Sequence, residues 1–258
     1  MNIIKDKQIL YDFFAMDKIK FGQLICYLDK FDFYNPIFCG CIDDNNKLKT
    51  LSCLINENGL FVMMFFGEES GVCEILNEVP NKCDNLYITF QENHKEALEK
   101  YTAPKKINEL HRLYLSIKED KYTMSNEVKI VENENEFKKI VYFYKNNSNF
   151  LQRPINDYKI NKYYYLEKDD KIVSVARTNM ISEKHKIAFI GGILTDQNKR
   201  GKGFSTICLE SLFSDLSHTV DTVCLNLLST NHYAFNFYKK LGFELNNIYF
   251  GCLIRNKI

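Results

Sequence analysis

The stretch KIAFIGGILTDQNKRGKGFSTICLESLFSDL, residues 186 to 216, constrains the fold more than any other part of the chain. An apolar run of strand character, KIAFIGGILT, passes into a polar loop with glycines at 201 and 203. An apolar run at helical spacing follows, from Gly203 to Leu216. A buried strand must therefore be joined to a helix by a loop whose glycines permit positive φ and close approach by another group. Backbone N–H groups at such a helix start face outward. The helix dipole there stabilises a negative charge by about 0.3–1 kcal/mol. Arg200 and Lys202 add cations, so the loop is a candidate anion site. A strand–helix turn that simply needs glycine is the plain alternative.

The surrounding sequence alternates in the same way. VKIV from Val128 is a short strand, and Asn135 to Tyr144 is a helix with Phe137, Ile140, Val141 and Tyr144 on one face. YYYLEKDDKIVSVART reads as two strands joined by a turn at Lys168–Asp169–Asp170. The pair Gly191–Gly192 in KIAFIGGILT marks a bulge or a close backbone approach. TVCLNLL is another buried strand, Asn231 to Leu241 a helix stopped by Gly242, and IYFGCLIRN a last strand. The charged segment Ser116–Phe137 places a boundary near Tyr122–Asn126, giving domains 1–122 and 126–258.

The first half also mixes strands and helices. KTLSCLINENGLFVMMFF predicts a hairpin turning at Asn56–Gly59, and NLYITFQENHKEALEKY a strand and then a helix. The pair Asn93–His94 echoes Asn231–His232, each after an apolar strand and before a helix, which suggests a weak internal repeat. The expected fold class is α+β.

Lys plus Arg number 34 against 33 for Asp plus Glu, a net charge of +1 that gives no support to bulk binding of nucleic acid or anionic membrane. No apolar run reaches membrane-spanning length, and the first residues lack the core of a signal peptide. Nine cysteines without paired CxxC spacing predict reduced, mostly buried thiols in a cytoplasmic protein with no metal site, Cys39-x-Cys41 included.

Two nucleotide motifs fail on the loop. A Walker A loop needs a hydroxyl after its lysine, and here Lys202 is followed by Gly203 and Phe204. A dinucleotide fingerprint needs a third glycine at the first strand–helix turn, and here Thr206 stands in its place, deep in the domain. NKRGKGFS instead resembles the pyrophosphate loop of the GNAT superfamily of N-acetyltransferases, Q/R-x-x-G-x-G/A followed by x-G/A. Gly201 and Gly203 match; Asn198 stands for Gln or Arg, and Ser205 for Gly or Ala. NHYAFNFYKKLGF resembles the family's N-x-x-A-x-x-x-Y-x-x-x-G-F, with Asn231, Ala234, Tyr238, Gly242 and Phe243 matching. The order of strands and helices over 126–258 is similar as well.

The resemblance implies two GNAT-like domains, each a mostly antiparallel sheet flanked by helices, as in the glycine N-acyltransferase-like group. The second would be the catalytic half; the first, with the acidic GEESG at Gly67–Gly71, a degenerate copy without a coenzyme site. The implied cosubstrate is acetyl-CoA or another acyl-CoA, and the partner a small amine or peptide acceptor. The backbone of Ile193, Leu194 and Thr195 would pair with the pantetheine arm. Asn198, Lys199, Arg200, Gly201, Lys202, Gly203, Phe204 and Ser205 would form the pyrophosphate loop, with Asn231 also at the cofactor. The family splays this strand from the next to admit the acyl group.

Acyl transfer from a thioester needs a proton for the departing thiolate. An unperturbed phenol, pKa about 10, carries its proton at neutral pH, and the resemblance makes Tyr238 that acid. Asn231 and Tyr238 lie about two helical turns apart, on one face. Asn231 also suits a helix N-cap. No Glu, Asp or His stands on the central strand; Glu167 and His185 lie on or near its neighbours, and a water relay or an amine that arrives neutral is an equal choice. Cys224 reads as a buried thiol rather than a nucleophile. The implied activity is an N-acetyltransferase; a non-catalytic acyl-CoA-binding sensor or interaction module of the same fold, which would keep the loop without needing Tyr238, is the alternative.

Overall fold

The computed structural model describes residues 2–43, 47–57, 59–78, 85–102, 106–148 and 156–255. Packing divides the chain into two units, Met1–Leu113 with Asn226–Ile258, and Tyr114–Leu225.

Carboxylate caps begin the chain's first helices. After β1 (Asn2–Ile3), Asp6 accepts from the Gln8 N–H to start α1 (Lys7–Phe14). Asp17 accepts from the N–H groups of Ile19 and Lys20 to start α2 (Lys18–Asp29). Caps of this kind stabilise a helix by about 1 kcal/mol. A short α3 (Phe31–Tyr34) leads to β2 (Ile37–Ile42), β3 (Leu48–Glu57), β4 (Leu60–Gly67), α4 (Ser70–Glu78), β5 (Asn85–Phe90), α5 (Lys95–Thr102) and β6 (Ile107–Ser116). The expected hairpin is β3–β4, paired from Thr50↔Gly67 to Glu57↔Leu60; Asn58 of its turn lies outside the described residues.

The second unit carries β7 (Val128–Ile130), α6 (Glu134–Asn147), β8 (Tyr163–Lys168), β9 (Lys171–Ser182), β10 (Ile187–Thr195), α7 (Phe204–Leu216) and most of β11 (Thr222–Leu228). Its strands run in the order β11-β10-β9-β8-β7. The β8–β9 turn falls where the sequence places it, with Asp169 and Asp170 at φ 53 and 58, the two positive values of a tight hairpin turn. Asn133 caps α6 by accepting from Glu136. That helix buries Phe137, Ile140 and Phe143 against Tyr163, Tyr165 and Val175, each side chain contributing about 1.5–3 kcal/mol. Tyr144 and Val141 pack at the edge of the same cluster. The apolar face of α7, with Cys208, Leu209, Leu212, Phe213 and Leu216 buried, packs on the sheet, where the Cys208 thiol meets the Ser174 carbonyl. Near its end, Asp215 accepts from Lys162 at 2.6 Å and from the Tyr164 hydroxyl.

The chain closes with α8 (His232–Lys240) and β12 (Glu244–Arg255), in the first unit. There the strand order is β1-β2-β3-β4-β5-β12-β6, and β12 pairs antiparallel with β5 from Phe250↔Phe90 to Arg255↔Asn85. Phe65, Ile88, Phe90, Ile75 and Leu98 fill that unit's core. The fold is α+β with mostly antiparallel strand pairs. The pairs β4–β5 and β10–β11 are parallel, and each spans one helix.

Candidate acyl-CoA site

In β10 the sheet departs from regular pairing twice. Phe189 faces Met180 and Ile190 faces Thr178, so Asn179 is one residue too many on β9. Gly191 faces Arg177 and Leu194 faces Val175, so Gly192 and Ile193 together oppose Ala176, one residue too many on β10. The expected glycine bulge is present. Gly192 has φ +60, and a Cβ there would lie 2.6 Å from Arg177 Nε and 3.0 Å from the Tyr144 hydroxyl. Only glycine meets both the turn and the close approach.

The strands also part at this point. β10 and β11 pair in parallel over Ile187↔Thr222, Ala188↔Val223 and Phe189↔Cys224, with no partner beyond Phe189. From Gly191 onward β10 is only half-buried, Ile193, Leu194 and Thr195 included. A strand that has lost its neighbour has unpaired N–H and C=O groups to offer an extended ligand. Thr195 remains tied to β9 by its hydroxyl, 2.9 Å from that of Ser174.

The loop then turns through a short helical segment, Gln197–Lys199, started by Asp196, which accepts from the Asn198 N–H at 2.8 Å. Arg200 Nε donates to the Thr195 carbonyl at 3.4 Å. Gly201 and Gly203 have φ of +77 and +78, and a Cβ at either would have nothing within 4 Å. Both are exposed, as is Lys202; Phe204 and Ser205 are half-buried. Gly203 is the N-cap of α7 and offers no side chain to the first-turn N–H groups. A helix start with open space in front of it and no side-chain cap leaves its first-turn N–H groups available to an anion.

In the first unit, Asn231 caps α8 by accepting from the Ala234 N–H at 3.1 Å, as its position predicts. Tyr238, 8% exposed, packs edge-on against Phe237 and Phe243. Burial raises its pKa well above the usual phenol value, which keeps its proton in place across the neutral range. Among the described residues its hydroxyl makes no hydrogen bond.

The candidate bases are engaged elsewhere. Glu167 pairs with Lys129 at 2.5 Å, and His185 Nδ1 lies 3.1 Å from the Ser182 hydroxyl in the turn after β9. Cys224 is buried. A pair that sequence reasoning missed stands on β6: His111 Nε2 is 2.8 Å from Glu109 Oε1, while its buried Nδ1 has no partner among the described residues. It lines a cavity of about 360 Å³ with Ser229, Thr230, His232 and Phe235. The signal was there in Glu-x-His, since residues two apart share one face of a strand.

The echoed Asn-His of the first half does different work. Asn93 Nδ2 and His94 Nε2 both meet the Gly67 carbonyl, at 2.9 and 2.8 Å, and the Gln91 side chain accepts from the Gly67 N–H at 3.4 Å. The turn after β4 is thus held by the protein's own side chains, and Glu68 and Glu69 follow it. Among the described residues no cluster of potential metal ligands occurs, no disulfide joins the cysteines, and no helix is long and apolar enough to cross a membrane.

Residues 129–243 match the acetyltransferase (GNAT) family model. No curated protein matches the chain by sequence. Among solved structures, the chain is similar to a Drosophila protein at 12% identity and a TM-score of 0.74, with 99% of each chain covered. A GNAT-family acetyltransferase from Colwellia psychrerythraea is similar at 12% identity and a TM-score of 0.57, covering 98% of this chain and 99% of that one. A tandem GNAT protein from the clavulanic acid biosynthesis pathway is similar at 10% identity and a TM-score of 0.53, covering 86% and 83%. At these identities the likeness is one of fold. The parted strands, the bulge and the glycine loop all lie within residues 129–243, which match the GNAT family model, in a chain whose fold is similar to that of a tandem GNAT protein.

Proposed function

We propose that the chain is an acyl-CoA-dependent N-acyltransferase that moves an acetyl group from acetyl-CoA to a primary amine. The uncapped start of α7 behind Gly201 and Gly203, beside a β10 that has lost its parallel partner, carries this assignment. The backbone N–H groups of Arg200 to Ser205 hold the pyrophosphate. Ile193, Leu194 and Thr195 pair with the pantetheine arm as an added strand would. Asn198, Lys199 and Lys202 frame the loop, and Asn231 contributes at the start of α8.

The neutral amine attacks the thioester carbonyl, a C–N bond forms and the C–S bond breaks. The thiolate takes its proton from the Tyr238 hydroxyl, and the proton released from the amine nitrogen passes through solvent to restore the phenol. Acid catalysis of this kind contributes about 10²- to 10⁴-fold. No metal enters the assignment, and the acceptor is a small amine or peptide. Residues 126–258 form the catalytic half and 1–122 a degenerate copy. The turn after β4 supports this, since Gln91, Asn93 and His94 already use its polar groups. Described cysteines that form no disulfide suit a reducing, cytoplasmic setting.

An acceptor screen with acetyl-CoA, following release of the CoA thiol, tests the activity. Calorimetry is expected to give one acetyl-CoA per chain. Saturable acetyl-CoA binding without turnover of any amine would favour a sensor, and no binding at all would remove the assignment.

A further inference from the structure

Arg177 is a buried cation without an acid. It is 6% exposed, yet no carboxylate among the described residues lies within ion-pair distance. One of its donors is used, Nη1 to the Thr178 carbonyl at 3.1 Å, and its guanidinium lies over the Tyr163 ring, 5.6 Å from the centroid. Asp157, the buried carboxylate among the described residues, is turned to other partners, the Tyr163 hydroxyl and the Asn161 amide. Burying a charge is costly unless it is paired and hydrogen-bonded. A guanidinium with donors to spare in such a place is suited to an anion that arrives from outside.

Its position identifies which anion. Arg177 stands opposite Gly191 in the register, and its Nε lies 2.6 Å from where a Cβ of Gly192 would be. Asn179 Nδ2 stands in the same relation to Gly191, at 2.3 Å. The two side chains therefore flank the β10 bulge, where β10 has left β11 and the acyl group is proposed to sit. We infer that Arg177 binds a carboxylate carried by one of the two reactants, and so selects for an anionic substrate. This rests on the acyltransferase assignment. The carboxylate belongs either to the amine acceptor or to the far end of a dicarboxylic acyl group.

Matched substrate pairs separate the two sources. With acetyl-CoA as donor, 4-aminobutyrate is compared with 4-aminobutyramide, and alanine with alaninamide. With benzylamine as a common neutral acceptor, succinyl-CoA is compared with butyryl-CoA. The expected result is a preference of about 100-fold or more in kcat/KM for the carboxylate in one arm, the scale on which losing one partner of a buried charge pair is felt. Preference in the acceptor arm assigns the site to the acceptor, and in the donor arm to the acyl chain. In Arg177→Gln the ratio of anionic to neutral substrate falls toward one; in Arg177→Lys, which keeps the charge without the fork, part of it survives. A merely bracing arginine would lower both members of each pair together and leave the ratio where it was. Equal use of both members in both arms by the wild-type protein overturns the inference while leaving the acyltransferase assignment standing. No CoA release with any pair overturns both, and that outcome requires no folded variant to read.

Discussion

The Tyr144 hydroxyl donates to the carbonyl oxygen of Gly192, tying the end of α6 to the bulge in β10. The bulge interrupts the β9–β10 pairing here, and a half-buried carbonyl that keeps a hydrogen-bond partner gains about 0.5–1.5 kcal/mol from it. Tyr144→Phe keeps the ring in its cluster and removes the donor. We expect a loss of about 1 kcal/mol in stability and weaker acetyl-CoA binding, because the bulge holds β10 in its parted path. Unchanged denaturant midpoint and unchanged affinity would show that the bulge stands without Tyr144.

Gly203→Asp separates backbone strain from ligand blockage. Aspartate is among the side chains that accept a left-handed backbone best, and no atom lies within 4 Å of the new Cβ. The fold should therefore survive, with a cost of about 1 kcal/mol. A carboxylate in front of the α7 start repels a pyrophosphate, so acetyl-CoA affinity should fall by about 100-fold or more. Wild-type affinity by calorimetry in both this variant and Gly201→Asp is the result that dismisses the loop.

Tyr238→Phe is expected to leave the melting temperature near that of the wild type, because the hydroxyl makes no hydrogen bond among the described residues and the ring contacts with Phe237 and Phe243 remain. Turnover should drop by about 10²- to 10⁴-fold with little change in acetyl-CoA affinity. If turnover with an identified acceptor is untouched, the proton comes from another group.

Asp215 gives a pH dependence. Burial pushes its pKa up, but the hydrogen bonds from Lys162 and Tyr164 outweigh that and hold it below the ordinary value. A depressed carboxylate contributes stability that is present above the unfolded value, about 3.9, and lost as pH falls through the folded value. Asp215→Asn should cost about 1–2 kcal/mol at neutral pH. The gap between variant and wild type should narrow as pH drops below about 4. A gap that stays constant to lower pH would mean that packing, not the charge, is what Asp215 supplies.

Local chemistry written in the sequence determined most of the elements. Apolar runs bounded by turn residues gave β8 to β11, the Asp169–Asp170 turn closed its hairpin, and the helical spacing of Phe137, Ile140 and Val141 gave α6. The glycines at 201 and 203 announced the loop because few other residues accept their φ, and Asn231 announced its helix cap. These features depend on residues a few positions apart. What only the tertiary structure decided depends on register between distant strands, which propensity does not encode. The compensating extra residues Asn179 and Gly192–Ile193 are one such feature, and the end of β10–β11 pairing at Phe189 another. So is the packing of residues 226–258 with 1–113, which brings Arg112 to Tyr249. Arg177 looked like one more residue on an ordinary strand; the bulge placed a buried charge beside two glycines, and low dielectric makes a charge there something the chain must answer.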